Sequence, residues 1–188
     1  MEWANGRTLK WFALRKGPHD RGKVIDLVTQ VLEGVDVVHR AGFVHGDIHP
    51  QNVMVTDFEH NLIKIIDFQH AVRKNRWGRA RARRILPRPP LELAPETRQR
   101  YIDDRYDIYG VGYICAYLLL GKMPTRTRLK AARAKYEGDP LWDVVFKAMH
   151  REPDERYATA RDMIQALDAL CERPSWAGHA DDATDIVT

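Results

Sequence analysis

The sequence predicts a mainly α-helical domain carrying one small β-hairpin, and three patterns support this. Val24, Leu27, Val28, Val31, Leu32, Val35 and Val38 recur at helical spacing. Residues 109–120 are apolar nearly all round, as a helix buried on every side must be. Between these two stretches, Val53-Met54-Val55 and Leu62-Ile63-Lys64-Ile65-Ile66 are short β-type runs. They flank the turn-rich Asp57-Phe58-Glu59-His60-Asn61.

Taken in order, the first helix spans residues 20–40. Asp20 serves as its N-cap, and Gly42 stops it after His39 and Arg40 in the last turn. Residues 43–52 are polar, contain Pro50 and read as a loop that leads into the hairpin. The central helix, 104–121, is too short and too charged at its flanks to span a membrane. Two core stripes follow, at Leu141, Val144, Val145 and Ala148, then at Met163, Ile164, Leu167 and Leu170.

Composition narrows the class. A chain of 188 residues with 44% hydrophobic content can bury one ordinary core. Cys115 and Cys171 both fall in helical patterns, which predicts buried thiols in a reducing, cytoplasmic setting. No signal peptide or internal repeat is visible, and residues 173–188 read as a polar, flexible tail. The net charge of +4 is uneven. Arg73, Lys74, Arg76, Arg79, Arg81, Arg83, Arg84 and Arg88 crowd one segment around Trp77. Nothing else resembles a nucleic-acid module, so a solvated loop is the first reading and an acidic protein substrate the second.

The chemistry-bearing stretch is His45-Gly46-Asp47-Ile48-His49-Pro50-Gln51-Asn52, followed by Ile66-Asp67-Phe68. Taken singly, an Asp or Asn in a loop is a turn former. His45 and His49 are spaced like a helical zinc pair, but Gly46 and Pro50 argue against the helix such a pair needs. The ordered set is another matter. One carboxylate can accept or orient the proton of an attacking hydroxyl, while an amide oxygen and a second carboxylate hold Mg²⁺.

With these residues in view, the chain resembles the C-terminal lobe of a bacterial-type Ser/Thr protein kinase domain over residues 1–172. Met1 to Leu9 is similar to the hinge segment, 43–52 to the catalytic loop and 67–96 to the metal-binding and activation segment. Ala94-Pro95-Glu96, Asp107-Ile108-Tyr109-Gly110-Val111-Gly112 and Pro153-Asp154-Glu155-Arg156 match later family motifs in order. The resemblance implies ATP and Mg²⁺ as cofactors and a protein hydroxyl as acceptor. It implies that Asp47 orients the acceptor and that Asn52 and Asp67 bind metal. His49 would stand near the γ-phosphate, the backbones of Glu2 and Ala4 would meet the adenine edge, and Met54 would lie beneath the ring. Asp107 would hold the catalytic loop's backbone, and Glu96 would pair with Arg156.

Departures from the pattern are informative. The family's catalytic-loop arginine is Gly46 here, and residues 67–96 contain no Ser, Thr or Tyr. Both changes argue against a switch by activation-segment phosphorylation. Gln69 replaces a glycine, which removes a permissive hinge. His49 stands for a lysine and Pro89 for a threonine, and His45-Gly46-Asp47-Ile48-His49 is similar to the catalytic loop of aminoglycoside-type kinases. No glycine-rich loop or strand-borne lysine is found upstream. Met1 as an internal methionine of a longer protein, a partner supplying the upper lobe, and a lobe acting alone are the three readings. An isolated lobe would expose an apolar cleft floor at Met54 and Val55, which favours the first two. A kinase-derived binding scaffold and a small-molecule kinase are the alternative functions.

Overall fold

The computed structural model describes residues 6–57, 60, 62–82 and 92–171. Along them run β1 (Arg7–Thr8), α1 (Leu9–Lys16), α2 (Arg21–Arg40), β2 (Phe43–Val44), β3 (Val53–Asp57) and β4 (Leu62–Ile65). There follow β5 (Val72–Arg73), β6 (Ala80–Arg81), β7 (Tyr101–Ile102), α3 (Asp104–Leu120), α4 (Arg126–Lys135), α5 (Pro140–Ala148) and α6 (Ala160–Cys171).

Helix α2 is the spine of the domain. Asp20 Oδ1 accepts from the Lys23 amide at 2.9 Å, and the chain leaves the helix at Gly42, whose φ is 85°. Val24, Leu27, Val28, Val31, Leu32 and Val35 are fully buried, and the helix packs on α3, α6 and β4. Each valine costs up to about 0.7 kcal/mol in helix propensity against alanine. Burying it returns roughly 1.5–3 kcal/mol, so packing rather than propensity makes this segment helical. Helix α3, buried on nearly every side, ends at Gly121 in the left-handed conformation and packs against α5.

The predicted hairpin is present as β3 and β4, with Val53 opposite Ile65, Met54 opposite Lys64 and Val55 opposite Ile63. It is not alone. Strand β1 joins it, pairing Thr8 with Met54 and Arg7 with Val55, so the sheet has three strands. Strand alternation sends Val53 and Val55 into the core and leaves Met54 half-buried on the other face. Val55 is therefore not part of an exposed cleft floor.

Three further expectations change. Residues 72–82 are not an open loop: β5 pairs with β2, Lys74 bridges to Ala80, and β6 pairs with β7. Lys74 is not solvated either, since its Nζ lies 2.8 and 2.9 Å from the two Asp104 oxygens. Cys115 is buried but Cys171 is exposed, because the final residue of α6 falls outside the stripe of Met163 and Leu167. Two helices carry almost no sequence signal. Helix α4 holds five basic residues and buries only Ala132, and α1 is a short piece capped by Thr8. Arg83, Arg84, Arg88, Pro89 and the 173–188 tail lie outside the described residues.

Candidate active site

The segment after β2 is held from below by α3. Asp107, fully buried in the first turn of that helix, accepts the His45 amide on Oδ2 and the Gly46 amide on Oδ1, both at 2.8 Å. His39, at the end of α2, brings Nε2 to 2.8 Å from the same Oδ2. One carboxylate thus ties two helices and a loop together. Such charge-assisted bonds are about twice as strong as neutral ones.

Two glycines make this approach feasible. Gly46 has φ 75°, and a Cβ there would stand 3.0 Å from the His70 carbonyl oxygen. A side chain at this position would be strained in backbone and tight in space, and glycine relieves both. Gly110 lies inside α3, where glycine costs about 1 kcal/mol of helix propensity. Its missing Cβ would fall 2.3 Å from the Ile48 carbonyl oxygen, so the helix backbone presses directly on the loop.

Above this support, Asp47 and Asn52 meet. Asn52 Nδ2 donates to Asp47 Oδ2 at 2.9 Å and to the Asp47 carbonyl at 3.0 Å, and the Asn52 amide donates to the His49 carbonyl at 2.9 Å. All three residues are buried. His49 lies between acids, with Nε2 3.7 Å from Asp47 Oδ2 and Nδ1 3.8 Å from Glu92 Oε1. His45 is fully buried, accepts the Asp47 amide on Nδ1 and packs its ring against Phe68 at 4.7 Å. Burial holds the His45 imidazole below its ordinary pKa of 6.5, and the nearby carboxylates of Asp107, Asp47 and Asp67 only partly oppose this.

Asp67 is placed by the hairpin. The Ile66 amide donates to the Asn52 carbonyl at 2.9 Å, which sets Asp67 beside the loop. Asp67 is exposed, and its φ of 62° is the one positive value outside glycine among the described residues. A non-glycine residue there stores roughly 1–3 kcal/mol of strain, a feature that clusters at functional sites. Gln69 donates its backbone amide and its Nε2 to the two Asp67 oxygens, both at 3.3 Å.

These groups suit a hard cation. With Nδ2 turned to Asp47, Asn52 offers Oδ1, and Asp67 adds an exposed carboxylate. Among the described residues no group of three or more His, Cys, Asp or Glu side chains could hold a metal alone. A pair of oxygen donors completed by phosphate oxygens is how Mg²⁺ is ordinarily bound, so the residues fit that ion.

The remaining expected positions divide. Met54 sits in mid-sheet on the face away from the core, while Glu2 and Ala4 lie outside the described residues. Arg156 Nη1 and Nη2 donate to Glu96 Oε1 and Oε2 at 2.6 and 2.8 Å, a buried two-point pair. His39 and Glu92 were given no role by the sequence, where His39 stood only as a last-turn residue, and Gly110 was read only as part of the motif that opens the central helix. Among the described residues no helix is long and apolar enough to cross a membrane.

Comparisons with known proteins bear on the family and the fold. The model of the protein kinase domain matches residues 1–176. Serine/threonine-protein kinase PknL of Mycobacterium tuberculosis is 31% identical, over 92% of this chain and 46% of its own length. A probable serine/threonine-protein kinase of Clostridium acetobutylicum is 28% identical, over 89% of this chain and 27% of its own. The crystal structure of the Mycobacterium tuberculosis PknI kinase domain superposes with a TM-score of 0.67 at 22% identity. That match covers 90% of this chain and 64% of the other, and it shows the fold alone. The chain thus spans between about a quarter and a half of the length of these two curated relatives.

Proposed function

The chain belongs to the protein kinase domain family, and from this premise we propose that it performs ATP-dependent phosphoryl transfer to a protein hydroxyl, of the Ser/Thr type. The observation that carries the reading is the Asp47–Asn52 contact at 2.9 Å, with Asp67 fixed alongside through Ile66. In this reading Asp47 accepts or orients the proton of the incoming hydroxyl, and Asn52 holds its Oδ2 in place for that task. Asn52 Oδ1 and Asp67 would hold Mg²⁺, which neutralises charge on the transferring phosphoryl group. His49, flanked by Asp47 and Glu92, would stand near the γ-phosphate as a cation or hydrogen-bond donor. The Glu2 and Ala4 backbones would meet the adenine edge, with Met54 beneath the ring.

The phosphate-covering glycine loop and lysine would come from outside these 188 residues, from a longer chain or a partner. Residues 67–96 hold no Ser, Thr or Tyr to carry a phosphate, and Gly46 stands where an arginine would grip one. Regulation then rests on contacts rather than on phosphorylation there. A cytoplasmic setting agrees with the buried Cys115 thiol.

The test is transfer from radiolabelled ATP to a mixed protein substrate and to aminoglycosides, with the upper lobe supplied. Incorporation into protein Ser or Thr that Asp47→Ala abolishes is expected. Labelling of aminoglycosides alone would favour the small-molecule reading, and none at all the scaffold.

A further inference from the structure

Strands β2 with β5 and β6 with β7 form two antiparallel pairs, joined by the isolated Lys74–Ala80 bridge into a ribbon that begins two residues before His45. Val44 pairs with Val72, Lys74 with Ala80, and Ala80 with Ile102. One face of the ribbon is core, with Val44, Ala80 and Ile102 all buried against Tyr106 and Tyr109. The other face carries a different row. Phe43 pairs with Arg73, and Arg81 pairs with Tyr101. The Lys74–Ala80 bridge sets the register between β5 and β6, so Arg73 stands opposite Arg81. The exposed row therefore reads Phe43, Arg73, Arg81, Tyr101, about 14 Å across at the usual strand spacing.

This row is unfavourable for folding. Like charges directly opposite on neighbouring strands destabilise a sheet. Among the described residues neither Arg73 nor Arg81 has an acidic partner. Phe43 and Tyr101 remain 38% and 40% exposed at the two ends. At the tip, where Asn75 Oδ1 accepts the Trp77 and Arg79 amides, Trp77 is 70% exposed. Arg76 covers one face of that indole at 4.1 Å, and Arg100 lies over Tyr101 at 5.5 Å. An arginine stacked on a ring keeps its in-plane N–H donors for carboxylates. Trp77 and Tyr101, by contrast, each have one face already taken, which disfavours base stacking.

We infer that the row Phe43–Arg73–Arg81–Tyr101, with Trp77 at its tip, is a docking surface for an acidic protein segment bearing an apolar side chain. The paired guanidiniums take carboxylates, and the flanking rings take the apolar residue, the arginine-and-aromatic composition of interface anchors. Phe43 is four residues from Asp47, at most about 14 Å along an extended chain. A segment held on the ribbon is thereby kept close to the candidate acceptor-binding carboxylate. The partner's class rests on the protein-substrate reading above, but the surface itself needs no nucleotide and no transfer.

The test is fluorescence anisotropy of the purified full chain with a labelled oligoglutamate peptide containing one phenylalanine, without ATP. Labelled oligothymidylate is the second probe. R73Q/R81Q is expected to weaken oligoglutamate binding about tenfold, the worth of one lost charged hydrogen bond or so. R126Q/K130Q on α4 removes the same charge elsewhere and is expected to leave binding unchanged. Should the double variant on the ribbon melt early, the single R73Q and R81Q variants decide the matter by their own losses. Equal losses in the ribbon and α4 variants would overturn the proposal, as would no binding at all. Tighter oligothymidylate binding lost in R73Q/R81Q would make the ribbon a nucleic-acid surface and overturn it too. Binding that behaves as expected while transfer assays stay blank would remove the kinase reading and leave the docking surface standing.

Discussion

Arg156 grips both carboxylate oxygens of Glu96 from 60 residues away, and neither side chain is more than slightly exposed. The guanidinium is otherwise occupied by the carbonyls of His150, Arg105 and Arg151 and lies 4.9 Å from the Tyr109 ring. The pair is shut off from water, so a charge left behind by the loss of its partner has nothing to replace it.

Arg156→Ala or Glu96→Ala is therefore expected to cost about 3–5 kcal/mol, because each leaves a buried charge unpaired. The double change Glu96→Ala with Arg156→Ala should cost clearly less than the sum. Urea unfolding of the four proteins measures this, and strictly additive losses would show that the pair is not coupled.

Asp47 and Asp67 are expected to separate chemistry from stability. With an upper lobe supplied, Asp47→Ala and Asp67→Ala should each abolish phosphoryl transfer. Asp67 is exposed and strained, so its loss should change stability by no more than about 0.5 kcal/mol. Loss of Asp47 removes one Asn52 bond and should cost about 1–2 kcal/mol. Wild-type transfer in either variant would end their catalytic assignment.

The buried His45 predicts a dependence on pH. Its imidazole is held below 6.5 in the fold, so the unfolded chain takes up the proton more readily. The stability it contributes is complete above about pH 6.5 and is lost as the pH falls through the values below it. Comparing urea midpoints of the wild type and His45→Gln across that window should show a shallower decline in the variant. Parallel profiles would mean that this ring does not titrate on unfolding.

The two thiols should respond very differently. Burial pushes the Cys115 thiol up to about 12, whereas Cys171 is exposed. A disulfide-exchange reagent is expected to titrate one thiol in the native protein and two in denaturant. Rapid native reaction of both would show that α3 opens readily.

For this chain alone, MgATP binding weaker than about 1 μM is expected, since the candidate metal ligands are present without the phosphate cover. Calorimetric titration settles it, and a tighter constant would reveal phosphate contacts within these residues.

The sequence by itself determined the helices with a strong apolar period and the order of the chemistry-bearing residues. The α2 stripe and the all-apolar α3 are legible because period and burial are properties of neighbouring residues. The meeting of Asp47 with Asn52 was legible because their spacing is local, five residues within one loop. Tertiary structure alone decided what crosses the chain. Asp107 reaches back to His45 and Gly46 across 62 and 61 residues, and His39 joins it across 68. Gly46 and Gly110 are glycines because carbonyls of His70 and Ile48 occupy the space a Cβ would need. The segment around Arg73 looked like solvated charge, since a two-residue strand has no period to read. Its pairing with β2 and, through Lys74–Ala80, with β6 makes it a ribbon, because backbone hydrogen bonds between distant strands leave no trace in composition.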